Sequence, residues 1–239
     1  MSETGFQERL EAIQERIAAA ALRSGRRPEA ITLVAVSKTH PAEAIRGAFA
    51  LGVTHFGENR VQEWEGKRGA VKDLPGEWHL IGHLQSNKAA RAARLFHSVD
   101  SLDDFALAQR LDRVRAESGE ARKLRVLIEV RVAPEESKSG VEIAALPALA
   151  EKVSELSYLD LSGLMCIPPF LDEPEKVRPY FRELRKLKEQ LEGRLGREWP
   201  VLSMGMSHDF EVAIEEGATE VRLGTALFGT RTISPHPTV

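Results

Sequence analysis

From Ile31 onward the chain alternates short runs of compact or β-branched apolar residues with amphipathic segments, eight times in about 210 residues. The candidate strands are Ile31–Val36, Val53–Gly57, Trp78–Gly82, Phe96–Val99, Leu124–Val132, Leu159–Cys166, Val201–Gly205 and Glu220–Leu223. Helical patterns lie between them, as in Asp103–Ser118 with Phe105, Leu107, Ala108, Leu111 and Val114, and Tyr180–Leu195 with Leu184, Leu187 and Leu191. Pro147 and Pro179 are tolerable only in a first helical turn, so those two helices are expected to begin later than the apolar pattern suggests. Strands alternating with helices imply a parallel sheet, and eight such units match a closed α/β barrel, the (β/α)8 TIM barrel. An open doubly wound sheet normally has fewer strands. When it binds dinucleotides it carries Gly-x-Gly-x-x-Gly after the first, where this chain has Ser37-Lys38-Thr39-His40. No Pro/Gly/Ser-rich linker interrupts the pattern, so residues 1–239 are expected to form a single domain.

Ahead of the repeat, Phe6, Leu10, Ile13 and Ile17 make one stripe of an additional N-terminal helix ending near Gly25. Its acids, Glu3, Glu8, Glu11 and Glu15, contradict a secretory signal. With 42% hydrophobic and 29% charged residues the chain can bury a large core. A formal net charge of −3 offers no footprint for nucleic acid or an anionic membrane. The single cysteine, Cys166, fits a reducing compartment, and no apolar run approaches the ~18 residues of a membrane span, so a cytoplasmic location is expected.

Barrel enzymes carry their chemistry where strands end and βα loops begin. Lys38 follows the first strand on the same face as Val34 and Val36, pointing into the barrel mouth. Desolvation at such a place disfavours an ammonium and favours the neutral amine that attacks aldehydes; the plain alternative is a solvated lysine at a strand end. The loops after the last two strands supply the usual phosphate site of a barrel, and here they offer Ser207, Gly224 and Thr225. Ordinary turn and capping chemistry is the competing explanation, favoured by Asp209 and Glu211, which would compete for the same helix end. Val221 and Leu223 should meet the helices, leaving Arg222 and Gly224 to face the barrel centre, where a buried guanidinium needs an acceptor.

His79 and His83 resemble a metal pair, but on a strand they stand about 13 Å apart, too far to share one ion. No phosphate loop of Walker type, nucleophile elbow or Cys-x-x-Cys occurs, and Cys166 reads as a core residue. No metal is expected.

Seven blocks then carry a resemblance: Ala35-Val36-Ser37-Lys38-Thr39, Phe56-Gly57-Glu58-Asn59, Trp78-His79-Leu80-Ile81-Gly82, Leu84-Gln85-Ser86-Asn87-Lys88, Ser137-Lys138-Ser139-Gly140, Ser203-Met204-Gly205-Met206-Ser207 and Val221-Arg222-Leu223-Gly224-Thr225. In this order, from about residue 31 to about residue 230, they resemble the pyridoxal phosphate homeostasis proteins, which are similar to the barrel domain of alanine racemase. The resemblance implies pyridoxal 5′-phosphate (PLP) as cofactor, held as an aldimine by Lys38. It assigns Ser207, Gly224 and Thr225 to a phosphate cradle, Arg222 to the pyridine nitrogen, Asn59 to a cofactor contact, and His83 and Met165 to the pocket wall. At Gly82-His83 many relatives carry Gly-Pro, so His83 departs from the pattern.

Arginine cannot accept a proton, so opposite the pyridine nitrogen it would keep that nitrogen unprotonated and weaken the ring as an electron sink. Alanine racemase pairs its lysine with a tyrosine from a second domain. Here Tyr158 and Tyr180 are the only tyrosines, one entering a strand at the far end and the other on a surface-type helix. The expectation is a binding protein, not an enzyme, that buffers or delivers PLP, monomeric and in transient contact with PLP-dependent apo-enzymes. A PLP-dependent racemase and a barrel binding another phosphorylated metabolite without covalent bonding are the alternatives.

Overall fold

The computed structural model describes residues 3–133 and 139–229; Ser137 and Lys138 of the matched blocks lie outside them. Among the described residues the strands are β1 (Thr32–Val36), β2 (His55–Glu58), β3 (Glu77–Leu80), β4 (Ser98–Leu102), β5 (Leu124–Arg131), β6 (Val141–Glu142), β7 (Leu159–Met165), β8 (Val201–Ser203) and β9 (Glu220–Leu223). The helices are α1 (Glu3–Arg23), α2 (Ala42–Ala50), α3 (Val61–Arg68), α4 (Ala89–Leu95), α5 (Phe105–Ser118), α6 (Leu146–Ser154), α7 (Arg178–Leu195), α8 (Phe210–Glu215) and α9 (Thr225–Phe228). Every strand pairing is parallel. The order β4-β3-β2-β1-β9-β8-β7-β5 is closed by β4 on β5, giving the expected eight-stranded barrel, with two-residue β6 appended to β5 outside the ring. Among the described residues no helix is long and apolar enough to cross a membrane.

Local chemistry explains the element ends. Asp104 caps α5 by accepting the N–H groups of Ala106 and Leu107, and Gly119 follows in the left-handed conformation. Pro147 and Pro179 both fall in first turns. Helix α1 buries Phe6, Leu10, Ile13 and Ile17 and packs on α8 and α9, with the Phe6 and Phe228 rings 5.4 Å apart. The last helix, α9, is a single turn, and α1 packs over it.

Strand alternation divides the interior from the shell. Leu33, Ala35, Val126, Ile128, Val221 and Leu223 belong to the large core between strands and helices, whereas Leu127, Met165 and Val201 form a separate cluster inside the ring. Beneath that cluster lies a polar layer at the N-terminal ends of the strands. Arg125 donates to Glu220 Oε2 (3.1 Å) and Ser98 Oγ (2.9 Å) and lies 2.8 Å from His79 Nδ1; His79 also meets Asp100 and His55, each at 3.0 Å. Burial opposes ionisation of Asp100, but His79 and Arg125 outweigh it and hold the carboxyl below its ordinary value. His79, Asp100 and Glu220 have the ligand spacing of a metal site, and Arg125 already supplies the positive charge among them.

Burial also lowers the pKa of His97, whose Nδ1 accepts the Trp78 N–H at 3.0 Å and cannot do so when protonated, and that of His55. Their folded pKa values lie below the ordinary 6.5, so the unfolded chain binds more protons just below that pH and stability falls there. Raised carboxyls such as Glu58, Glu129 and Asp209 contribute the opposite slope, so the histidine part is read by comparison: unfolding free energy should fall less, or rise more, from about pH 7 to about pH 5 in His97→Gln than in wild type, as denaturant titrations at each pH would show. An identical pH profile in wild type and His97→Gln would contradict this.

Candidate functional site

At the C-terminal mouth, β1 is prolonged by a bond from Ser37 N to Gly57 O (3.0 Å). Lys38 follows in the inward register of Val34 and Val36; it is half-buried and has no hydrogen bond or ion pair among the described residues. Its amine is not committed to a structural partner among the described residues. Register pairs Ala35 with Leu223, so Gly224 lies beside Val36, and a Cβ on Gly224 would sit 3.4 Å from Val36 Cβ.

Arg222 is 3% exposed and points inward, as its alternation requires. Its guanidinium donates to Ser203 Oγ at 2.7 Å and to the Cys166 carbonyl at 2.8 Å, bonds that fix its plane at the mouth of the ring. Cys166 itself is fully buried, and burial pushes its thiol up to about 12, which leaves it a core residue and not a nucleophile.

The loops after β8 and β9 converge: the Ala226 N–H donates to Ser207 Oγ at 3.2 Å, bringing Ser207, Gly224 and Thr225 to one corner. Neither acid expected to compete there does so by the route anticipated. Glu211 pairs outward with Arg16 on α1 (2.9 Å), and Asp209 turns back to accept the Met206 N–H (2.6 Å) within its own loop. Burial raises the Asp209 pKa.

Asn59 stands on the neighbouring strand end, half-buried, with its backbone against Gly82. A Cβ on Gly82 would lie 2.4 Å from Asn59 O and 2.9 Å from Asn59 Cα, so any side chain there must displace the turn after β2. Gly82→Ala is expected to cost on the order of 1–3 kcal/mol in stability and to weaken ligand binding at the mouth, measured by denaturation and by ligand titration. Unchanged binding would show that Asn59 does not face the ligand.

The two remaining wall candidates separate. Met165 is fully buried in the interior cluster with Leu127 and Val201, beneath the mouth. The His83 side chain is 55% exposed on the rim, its Nδ1 3.5 Å from Asp103. His79 lies in the opposite layer, so the two histidines share no site.

Two inward groups were not anticipated. Ser203 accepts from Arg222, and Glu129, diametrically across the ring from Lys38 on β5, is 4% exposed. Glu129 accepts from Ser139 Oγ at 3.1 Å, its other oxygen has no partner among the described residues, and burial raises its pKa. A lone acid inside the apolar run Leu127-Ile128-Glu129-Val130 was the available signal.

The family model for the alanine racemase N-terminal domain matches residues 9–232. A pyridoxal phosphate homeostasis protein of Aquifex aeolicus is 48% identical over 224 residues, covering 94% of this chain and 97% of the relative. The Escherichia coli K12 protein of that name is 45% identical over 228 residues, 93% of this chain and 95% of the relative. The chain belongs to the pyridoxal phosphate homeostasis protein family. Among solved relatives of this homeostasis-family barrel, PipY of Synechococcus elongatus PCC7942 with PLP bound is 42% identical, with a TM-score of 0.80 over 91% of this chain and all (100%) of PipY. An alanine racemase of Clostridium difficile shares the fold at 15% identity, with a TM-score of 0.70 over 84% of this chain and 56% of the racemase.

Proposed function

We propose that this protein binds PLP and serves its intracellular homeostasis, holding the cofactor as an aldimine on Lys38 and buffering or delivering it without turnover of its own. The observation that carries this is a half-buried amine at the end of β1, without a partner among the described residues and one strand from the Ser207/Gly224/Thr225 corner, in a chain 42% identical to PipY with PLP bound. The donor set suits the cofactor: an amine for its aldehyde, hydroxyl and backbone N–H donors for its dianion, and a guanidinium for its ring. When bound, PLP would supply an electrophilic aldehyde and an electron-accepting ring.

Each residue then has a task. Ser207, Gly224 and Thr225 hold the phosphate, with Ser207 already oriented by Ala226. Arg222, fixed by Ser203 and the Cys166 carbonyl, cannot swing away and faces the pyridine nitrogen without giving up a proton. Asn59 and Met165 border the ring. His83, turned toward Asp103, has the weakest case for a cofactor contact.

Neither tyrosine supports racemisation. Tyr158 is 43% exposed and immediately precedes β7, at the end of the barrel away from the mouth, and Tyr180 packs on the shell from α7. We accordingly propose a cytoplasmic, monomeric, single-domain carrier making transient contact with apo-enzymes. Purified protein incubated with PLP and a panel of L- and D-amino acids should show the absorbance of bound cofactor and no steady racemisation or decarboxylation. Steady turnover would favour the racemase, and a protein that takes up no PLP would end the proposal.

A further inference from the structure

On the helix-facing side of the barrel wall, at the C-terminal ends of β1 and β2, the Lys38 turn is tied down by a second lysine. Lys67, on α3, is only 12% exposed. Its ammonium donates to the Ser37 carbonyl (2.9 Å), to both Glu58 oxygens (3.0 and 3.3 Å) and to Glu63 Oε1 (2.6 Å), which accounts for its three donors. Glu58, fully buried at the end of β2, also accepts from Ser37 Oγ at 2.8 Å. Glu63 accepts from the Thr39 N–H. Both neighbours of Lys38 in the chain are thus bonded into one cluster, buried at Glu58 and Ser37 and open to solvent at Thr39, while Lys38 is not bonded into it among the described residues.

The turn needs such a hold. Thr39 has φ +65°, a left-handed conformation that a β-branched residue rarely adopts. Such a conformation persists only where surrounding contacts over-determine it, and Glu63 and Lys67 supply them. Burial alone would raise the Glu63 carboxyl; the Lys67 and Thr39 donors outweigh it and keep the group below its ordinary value, in the charged form that the clamp uses.

We infer that Lys67 is a positioning residue for Lys38: by gripping the Ser37 carbonyl together with Glu58 and Glu63, it fixes the backbone from which the reactive amine projects into the mouth. This rests on Lys38 being the residue that takes PLP. The test compares wild type with Lys67→Met and with Glu63→Ala, whose part-exposed side chain is the less demanding of the two to remove.

In the cofactor-free proteins, hydrogen exchange of the Thr39 and His40 amides should quicken on the order of tenfold in Lys67→Met and severalfold in Glu63→Ala, with protection in β5 and β7 unchanged. PLP affinity of the folded protein should fall on the order of tenfold in Lys67→Met, since small displacements of a reacting group are costly. A merely structural role would lower the melting temperature and leave both readouts alone. If Lys67→Met does not fold, Glu63→Ala decides. Exchange and affinity within twofold of wild type in whichever variant folds would overturn the inference. A wild type that binds no PLP would end the functional proposal instead, while the exchange comparison would still decide whether Lys67 holds the turn.

Discussion

Lys38→Ala is expected to stay folded and to lose covalent PLP completely: no absorbance of a lysine-bound aldehyde, and no mass gain after hydride reduction. Lys38 has no partner among the described residues and is half-buried, so truncation should change stability by less than about 1 kcal/mol. The loss of the adduct is therefore separable from loss of the fold. Residual, weaker PLP binding is expected, because the Ser207/Gly224/Thr225 corner and Arg222 remain. An adduct formed in full by Lys38→Ala would mean that another lysine holds the cofactor.

Arg125→Met should produce the largest loss of stability. The guanidinium lies among His79, Asp100 and Glu220, and both carboxyl groups are buried, at 0% and 2% exposure. Removing the cation leaves two desolvated carboxylates without their counter-charge, a change that costs roughly 3–5 kcal/mol. Equilibrium denaturation measures it, and adding Glu220→Gln to Arg125→Met should recover part of the loss. A loss below about 1 kcal/mol would mean that solvent reaches the layer and screens it.

Much of the barrel was legible because interior and shell impose different chemistry on alternate residues. Val34, Val36 and Lys38 were read as inward, Val221 and Leu223 as outward, and the structure arranges the apolar members of both sets so. Strand β4 was placed too early, at Phe96–Val99, because its inward residues Ser98 and Asp100 are polar. They belong in a strand only because residues distant in sequence satisfy them: Arg125 donates to Ser98, and His79 and Arg125 compensate the Asp100 charge. Strand β6 is two residues long and has no periodicity to read.

The site divides in the same way. Arg222 was legible since a guanidinium facing the centre of a closed ring must find acceptors, and it finds Ser203 and the Cys166 carbonyl. Lys67 was not, because a lysine near the end of a short polar helix is indistinguishable in sequence from a solvated one. Only the packing of α3 against the end of β2 buries it. His83 falls between two family blocks, where the sequence departs from the family pattern, and its side chain sits at the rim beside Asp103.

The central claim concerns which atom of the protein takes the aldehyde, and mapping answers it directly. The wild-type protein is loaded with PLP, reduced with borohydride, digested and sequenced by mass spectrometry. One cofactor on the peptide containing Ser37-Lys38-Thr39, and none elsewhere at stoichiometric yield, is the predicted result. A protein that remains unmodified, or one carrying its cofactor on a lysine outside the barrel mouth, would contradict it.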